Sequence, residues 1–296
     1  MTIYCPHCNA KTAHIFSTRD LNRRVSAQTF AYRRCFACNL IFLPEIPPNL
    51  GDYYGAKYYQ IPSPAKLEKI ARAECYKLDM IQNFVATGRL LEIGPAYGVF
   101  AYQAKKAGFE VDVIEMDIRC CEYLTNVVDV NVINSDSPHQ AIKKIGMHHV
   151  IALWHVIEHL PNPWACLESA AKNLVQGGVL VIATPNPSAF QFSVLGSSWP
   201  HVDAPRHLYL IPANLLIQRL KPFGLEPVML TSNDKGAQSW NRFGWQRYLM
   251  NLFSNKLAQT AAFILGYIVS LPMGLWERRD FNGSAYTIIL QKKVDQ

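Results

Sequence analysis

The sequence predicts an α/β fold: a doubly wound parallel sheet fronted by a small metal-stabilised module. Three observations predict it. From Arg89 onward, short apolar runs alternate with amphipathic ones, the pattern of strands buried on both faces and the helices that cover them. Two Cys-x-x-Cys pairs stand within the first 44 residues. A chain of 296 residues, 50% of them apolar, can bury a full core beside such a module.

The module comes first. Cys5 and Cys8 form one knuckle, Cys35 and Cys38 the other, with 26 residues between them. Tight turns of this kind each present two thiolates, and four thiolates about 2.3 Å from one ion complete a tetrahedral Zn²⁺ shell. The gap is a little longer than the common zinc spacing, as two short hairpins would require. Disulfides do not suit a reducing compartment, and a redox pair needs a strand–helix context and does not come twice. Residues 1–44 thus read as a zinc ribbon. The net charge is +7, and Lys11, Arg19, Arg23, Arg24, Arg33 and Arg34 in this segment face Asp20 alone. Such a face is either solvated or attracted to an anionic partner.

Residues 45–88 form a linker and a capping helix. Five prolines between Leu43 and Pro64 interrupt any regular element. Tyr53, Tyr54, Tyr58 and Tyr59 read as packing for the junction rather than cover for a pocket. Over Lys66–Val85, apolar positions at Ile70, Ala73, Leu78 and Ile81 predict one amphipathic helix.

Then the alternation begins. Strands are predicted at Leu90–Ile93, Val111–Glu115, Val130–Ile133, His149–Leu153 and Val179–Ala183, with helices at Val99–Ala107 and Ile118–Asn126. In such sheets ligands sit beyond the carboxyl ends of the strands, where strand order reverses. "LLEIGPAYGVF" stands at that end of the first strand. It lacks the G-x-G-x-x-G of a dinucleotide cradle, and Glu92 before its glycines would repel a diphosphate. It suits a cationic amino or sulfonium group. Glu115, ending the second strand, can accept both ribose hydroxyls, and Asp136, just past the third, can reach an adenine amino group. A nucleoside carrying an amino acid and no phosphate matches S-adenosylmethionine.

Here the residues resemble a known family, the class I S-adenosylmethionine-dependent methyltransferases, in the subgroup near the ubiquinone O-methyltransferases. "LLEIGPAYGVF" resembles its first motif, with Ala96 for the middle glycine. "VDVIEMD", "VIALWHVIEHLPNP", "NLVQGGVLVIATPNP" and "WPHVDAPRHLYLIPANLLIQRLKPFGLEPV" resemble later ones. The resemblance implies a Rossmann-like sheet of seven strands, the last antiparallel, over residues 89–296. It places strand six at Leu225–Leu230 and strand seven at Ala285–Leu290, with a helical insert over 236–283. It implies a cofactor site at Glu92, Gly94, Ala96, Gly98, Glu115, Met116 and Asp136. His149 stands where the family usually has an acid, which predicts the loss of a structural hydrogen bond.

A sulfonium methyl is already activated, so the protein mainly aligns it and excludes water. A hydroxyl acceptor needs a base, and histidine suits neutral pH. Candidates are His155, His159, His201 and His207. His207 leads, because the resemblance puts its loop against the acceptor, with Asp203 to orient it. Arg206 and His207 could instead simply anchor that loop. The clamp Asn-Pro-Pro-Tyr of planar amino-group methyltransferases is absent after strand four, and no Pro-Cys offers the nucleophile of cytosine C5 chemistry. A small-molecule, glycan or lipid-like acceptor is therefore expected ahead of RNA, the partner a basic zinc module would otherwise suggest. A non-catalytic S-adenosylmethionine-binding scaffold is the third reading.

Between Lys256 and Glu277 lie 20 uncharged residues, long enough to cross a bilayer. Strands six and seven must pair from one side of any membrane, so a crossing is incompatible with the fold. Residues 240–280 are expected as two helices that either pack as an extra core layer or rest on a membrane surface. No basic-then-apolar leader opens the sequence, so a cytoplasmic setting is expected, at the inner membrane face if the insert touches lipid.

Overall fold

The structure is a computed structural model and describes residues 2–55 and 58–294. Strands β1 (Thr12–Arg19), β2 (Thr29–Cys35) and β3 (Ile41–Phe42) build the N-terminal module. Helices α1 (Pro64–Ala73) and α2 (Tyr76–Gln82) follow. The alternating part runs β4 (Gly88–Ile93), α3 (Val99–Lys106), β5 (Phe109–Glu115), α4 (Ile118–Tyr123), β6 (Asn131–Asn134) and α5 (Pro138–Ala141). It continues with β7 (His148–Trp154), α6 (Pro163–Asn173), β8 (Leu174–Pro185), α7 (Phe190–Leu195), β9 (Tyr209–Leu210) and α8 (Ala213–Leu220). Last come β10 (Leu225–Thr231), α9 (Lys235–Asn251), α10 (Lys256–Glu277) and β11 (Ala285–Lys292).

Among the described residues the main sheet has seven strands in the order β10-β11-β8-β7-β4-β5-β6. Strands β4 to β8 pair in parallel, and β11 lies antiparallel between β8 and β10. Strand order reverses between β4 and β7, so the crevice of a doubly wound sheet falls there. Alternation explains the burial on both faces. Leu91, Ile151 and Leu180 point into one apolar cluster, and Leu90, Val150 and Val179 into the other.

The ribbon is not free-standing. Strand β3 pairs with β9, so its four-stranded sheet includes Tyr209–Leu210 from the far side of the sequence. A single hairpin, β1 on β2, fills the gap between the knuckles instead of the two expected. Tyr53 packs edge-on against Phe30 of the ribbon at 5.9 Å, in line with a packing role for the linker aromatics.

The single helix expected over Lys66–Val85 is two. The Ala71 carbonyl accepts from Glu74 N and from the buried Gln103 side chain, and α1 stops there. Caps mark the other helices where sequence chemistry puts them. Asn162 caps α6, Asp234 caps α9, and Asn255 caps α10, each accepting from an amide three residues on. At His149, where an acid is the family's usual residue, the imidazole supplies an acceptor instead: its Nδ1 accepts from Arg89 N at 3.1 Å.

Candidate active site

The turn after β4 curls through three left-handed residues, Gly94, Ala96 and Gly98, with φ of 67°, 52° and 77°. A Cβ on Gly94 would stand 2.7 Å from Val156, and one on Gly98 2.4 Å from Leu124. Both glycines are therefore needed for conformation and for space. Ala96 keeps the backbone of the missing glycine at a cost of about 1–2 kcal/mol.

Two acids flank this cradle. Glu92 is buried on β4, and its Oε2 has no hydrogen-bond partner among the described residues. Burial pushes its carboxyl up to about 8, against the pull of the Lys77 ammonium. Glu115, at the end of β5, is held by backbone. Its Oε2 accepts from Ala96 N at 3.0 Å, and its Oε1 from Met116 N and Asp117 N at 2.8 Å each. One accepting position on Oε2 remains for a hydroxyl. Tyr59 is close enough that the Glu115 charge, after burial, pushes its hydroxyl up. The Met116 side chain is exposed beside the cradle, and Asp136 is exposed past β6. The donor set thus fits S-adenosylmethionine: an unsatisfied buried acid for an ammonium, a fixed acid for a ribose, and bare backbone between them.

Beyond the carboxyl ends of β7 and β8 lies a cavity of about 400 Å³, walled by Lys77, Trp154, His155, Asp234, Trp240 and Phe243 among others. The chain turns at His155 with φ of 56°, tied by its N–H to the Ala183 carbonyl at 2.8 Å. Its Nε2 accepts from Trp240 Nε1 at 2.7 Å, which puts the proton of the neutral ring on Nδ1. That Nδ1 is 3.7 Å from Oε1 of Glu158, whose side chain is wholly buried and whose Oε2 accepts from Thr184 Oγ1 at 3.0 Å. Burial would raise the Glu158 carboxyl, but His155, His159 and His207 around it hold it down to about 2.

The histidine that led on sequence grounds sits elsewhere. His207 is buried in the loop before β9, away from the cavity wall, with Nδ1 donating to the His201 carbonyl at 2.7 Å. Its backbone N–H donates to the Asp203 carbonyl at 3.2 Å, while the Asp203 carboxylate is held elsewhere. Both its oxygens are held by Arg206, at 2.7 and 2.8 Å, and Arg206 reaches on to Asp20 in the ribbon. His201 is spent on the Trp240 carbonyl at 3.0 Å. His159 Nδ1 meets the Tyr54 hydroxyl at 2.9 Å, and burial lowers its pKa to about 4. One ligand atom each of Glu158, His159 and His207 lie within 4.8 Å of one another, a group that could hold a metal ion. Sequence reasoning missed Trp154, Lys77 and the cavity role of Trp240. Lys77 lies 5.0 Å over the Trp154 ring, a contact between helix and strand that no spacing reveals.

The four ribbon cysteines do converge. Sulfur separations are 3.7 Å for Cys5–Cys38, 3.4 Å for Cys8–Cys35 and 3.7 Å for Cys8–Cys38. A tetrahedron with bonds of about 2.3 Å has edges of about 3.8 Å, so the four thiols fit one structural Zn²⁺.

A seven-stranded sheet with its last strand antiparallel, and a cradle of this shape at the reversal point, define a class: the S-adenosylmethionine-dependent methyltransferase fold. The chain belongs to the family described as Methyltransferase domain, whose model matches residues 67–230. It is similar to a ubiquinone biosynthesis O-methyltransferase from Xanthomonas oryzae, 25% identical over 122 residues, 39% of this chain and 51% of that one. One from Saccharophagus degradans is 26% identical over 153 residues, 48% of this chain and 65% of the relative. The chain thus spans about half to two thirds of the length of these curated relatives. A S-adenosylmethionine-dependent methyltransferase from Archaeoglobus fulgidus matches at a TM-score of 0.52 and 18% identity, over 76% of this chain and 94% of that structure. That likeness is one of fold.

Proposed function

We propose that this protein transfers a methyl group from S-adenosylmethionine to a hydroxyl oxygen of a small, amphipathic or lipid-like acceptor, with His155 as the base. The observation that carries the reading is the position of His155, on the cavity wall between the indole N–H of Trp240 and the buried Glu158. When bound, the cofactor supplies an activated methyl on a sulfonium. The cradle and Glu115 would hold the nucleoside, and Glu92 the ammonium. Trp240 Nε1 stands in for the acceptor: a substrate O–H that displaces it would give its proton to Nε2 as oxygen takes the methyl. Glu158 would then stabilise the imidazolium through Nδ1. The mainly apolar and aromatic wall would keep water out. The names of the curated relatives support a hydroxyl acceptor, without extending to this chain's own substrate.

The test is incubation of the purified protein with methyl-labelled S-adenosylmethionine and separate lipid, glycan and RNA extracts. Label is expected in an organic-soluble or glycan product. His155→Asn should abolish it, a loss of about 10²-fold or more, while cofactor affinity is kept. Label in RNA would replace this acceptor. Cofactor binding without transfer to any fraction would favour a scaffold.

A further inference from the structure

Helix α10 contradicts the habits of a core helix. It is 22 residues long, and only 11% of its most apolar window is buried. Ile264, Ile268, Leu271 and Leu275 recur at four-three-four spacing along one side, and all are exposed. The opposite side carries Ala262 and Gly266, and there α9 comes so close that a Cβ on Gly266 would stand 2.4 Å from the Gln246 Cα. Small residues face the protein and large ones face outward, the reverse of a helix that packs as an extra core layer.

Two coverings would satisfy such a stripe: a second copy, or lipid. A coiled-coil seam is narrow and flanked by charges that tolerate water. This helix has no charge between Lys256 and Glu277, and Phe263, Leu265 and Tyr267 widen the apolar surface on both flanks of the stripe. A medium apolar over a wide arc suits it better. Charge agrees. Over residues 234–280 six basic residues face three acids: Asp234 caps α9, Asp280 is exposed beside Arg279, and Glu277 is buried. Its Oε1 accepts from Trp245 Nε1 at 2.8 Å and Gln191 Nε2 at 2.7 Å, which pins the end of α10 to the body. A helix held along α9 and pinned at its end lies in a surface rather than across it.

We infer that the α9–α10 hairpin docks on an anionic lipid surface and brings the cavity to an acceptor dissolved in that surface. The link to the site is direct, because α9 walls the cavity with Trp240 and Phe243 and carries α10 on Trp245 and Gln246. This rests on the methyltransferase reading for the identity of the acceptor, but the docking itself can be measured without turnover.

The experiment is vesicle flotation of the full chain with phosphatidylglycerol-containing and pure phosphatidylcholine vesicles, at low and high salt. It runs beside the triple variant Ile264→Gln/Ile268→Gln/Leu271→Gln, whose changes touch exposed positions only. Cofactor calorimetry on both proteins tests the methyltransferase reading separately. Expected is flotation with the anionic vesicles, weakened but not abolished by salt, and reduced roughly ten-fold or more in the variant while cofactor affinity is unchanged. Absence of flotation would overturn the inference. So would a concentration-dependent dimer that the variant dissolves, since the stripe would then be a seam between copies.

Discussion

Arg206 and Asp20, 186 residues apart in sequence, meet at 2.7 Å with both side chains fully buried. The same guanidinium holds Asp203, so one cation neutralises a fully buried and a partly buried acid and joins the ribbon to the loop before β9. Arg206→Met should remove that cation and leave both acids unpaired, destabilising the protein by about 3–5 kcal/mol. Urea unfolding checks this. The double variant Arg206→Met/Asp20→Asn should recover part of the loss, and simple additivity would show that the pair is not coupled.

Zinc removal should reach beyond the ribbon. Strand β3 holds β9, and His7 in the first knuckle packs on Trp164 of α6 at 4.8 Å. Stripping the metal is therefore expected to raise hydrogen exchange over residues 199–211 as well as 5–42, and Cys35→Ser should do the same. Exchange confined to the ribbon would show that the loop stands without it. Cofactor affinity should change little, since the cradle shares no strand with the ribbon.

Glu92 predicts a proton-linked cofactor site. Its carboxyl is pushed up to about 8 by burial, so it is largely protonated at pH 7 in the free protein. An ammonium would draw it down and expel a proton. Calorimetry in buffers of different ionisation enthalpy should find about one proton released per cofactor bound near pH 7. Affinity should rise from pH 6 toward 8. Glu92→Gln should bind more weakly and release none.

Asp112 governs acid stability. It accepts from His148 Nε2 at 2.8 Å, Arg89 Nη2 at 2.7 Å and Asn131 Nδ2 at 2.6 Å. Burial opposes these partners, yet they hold it down to about 2. A depressed acid stabilises above its unfolded pKa, and that stabilisation is lost as pH falls through the folded one. About 2 kcal/mol should vanish between pH 5 and pH 2. Asp112→Asn should lose a similar amount at pH 7 and flatten the acid limb of a stability curve.

Where one local rule decides, the sequence could be read. Strands β4, β5, β7 and β8 are apolar runs buried on both faces, and the Cys-x-x-Cys knuckles and capping residues signal within a few positions. The pairing of β3 with a two-residue strand beyond position 208 has no local signal, because two residues carry no period. The break between α1 and α2 depends on a side chain from α3. Among the histidines, the family resemblance ranked His207 above His155, because it puts the loop of His207 against the acceptor. Only the turn at His155 and the arrival of Trp240 from the insert put the latter on the cavity. The insert itself was legible as apolar, but which side faces outward follows from Gly266 against Gln246.

The place of β11 in the sheet has a consequence for synthesis on the ribosome. This strand lies between β8 and β10, yet it is translated after both. Until residue 292 clears the exit tunnel, β8 has a vacant edge and β10 has no neighbour. The α9–α10 hairpin emerges during that interval, before the strand that follows it can anchor its base. At roughly 5–20 residues per second the interval lasts several seconds. For that time the nascent chain shows its most apolar helix and an unpaired strand edge together, so whatever first shields α10 in the cell meets it before the sheet is complete.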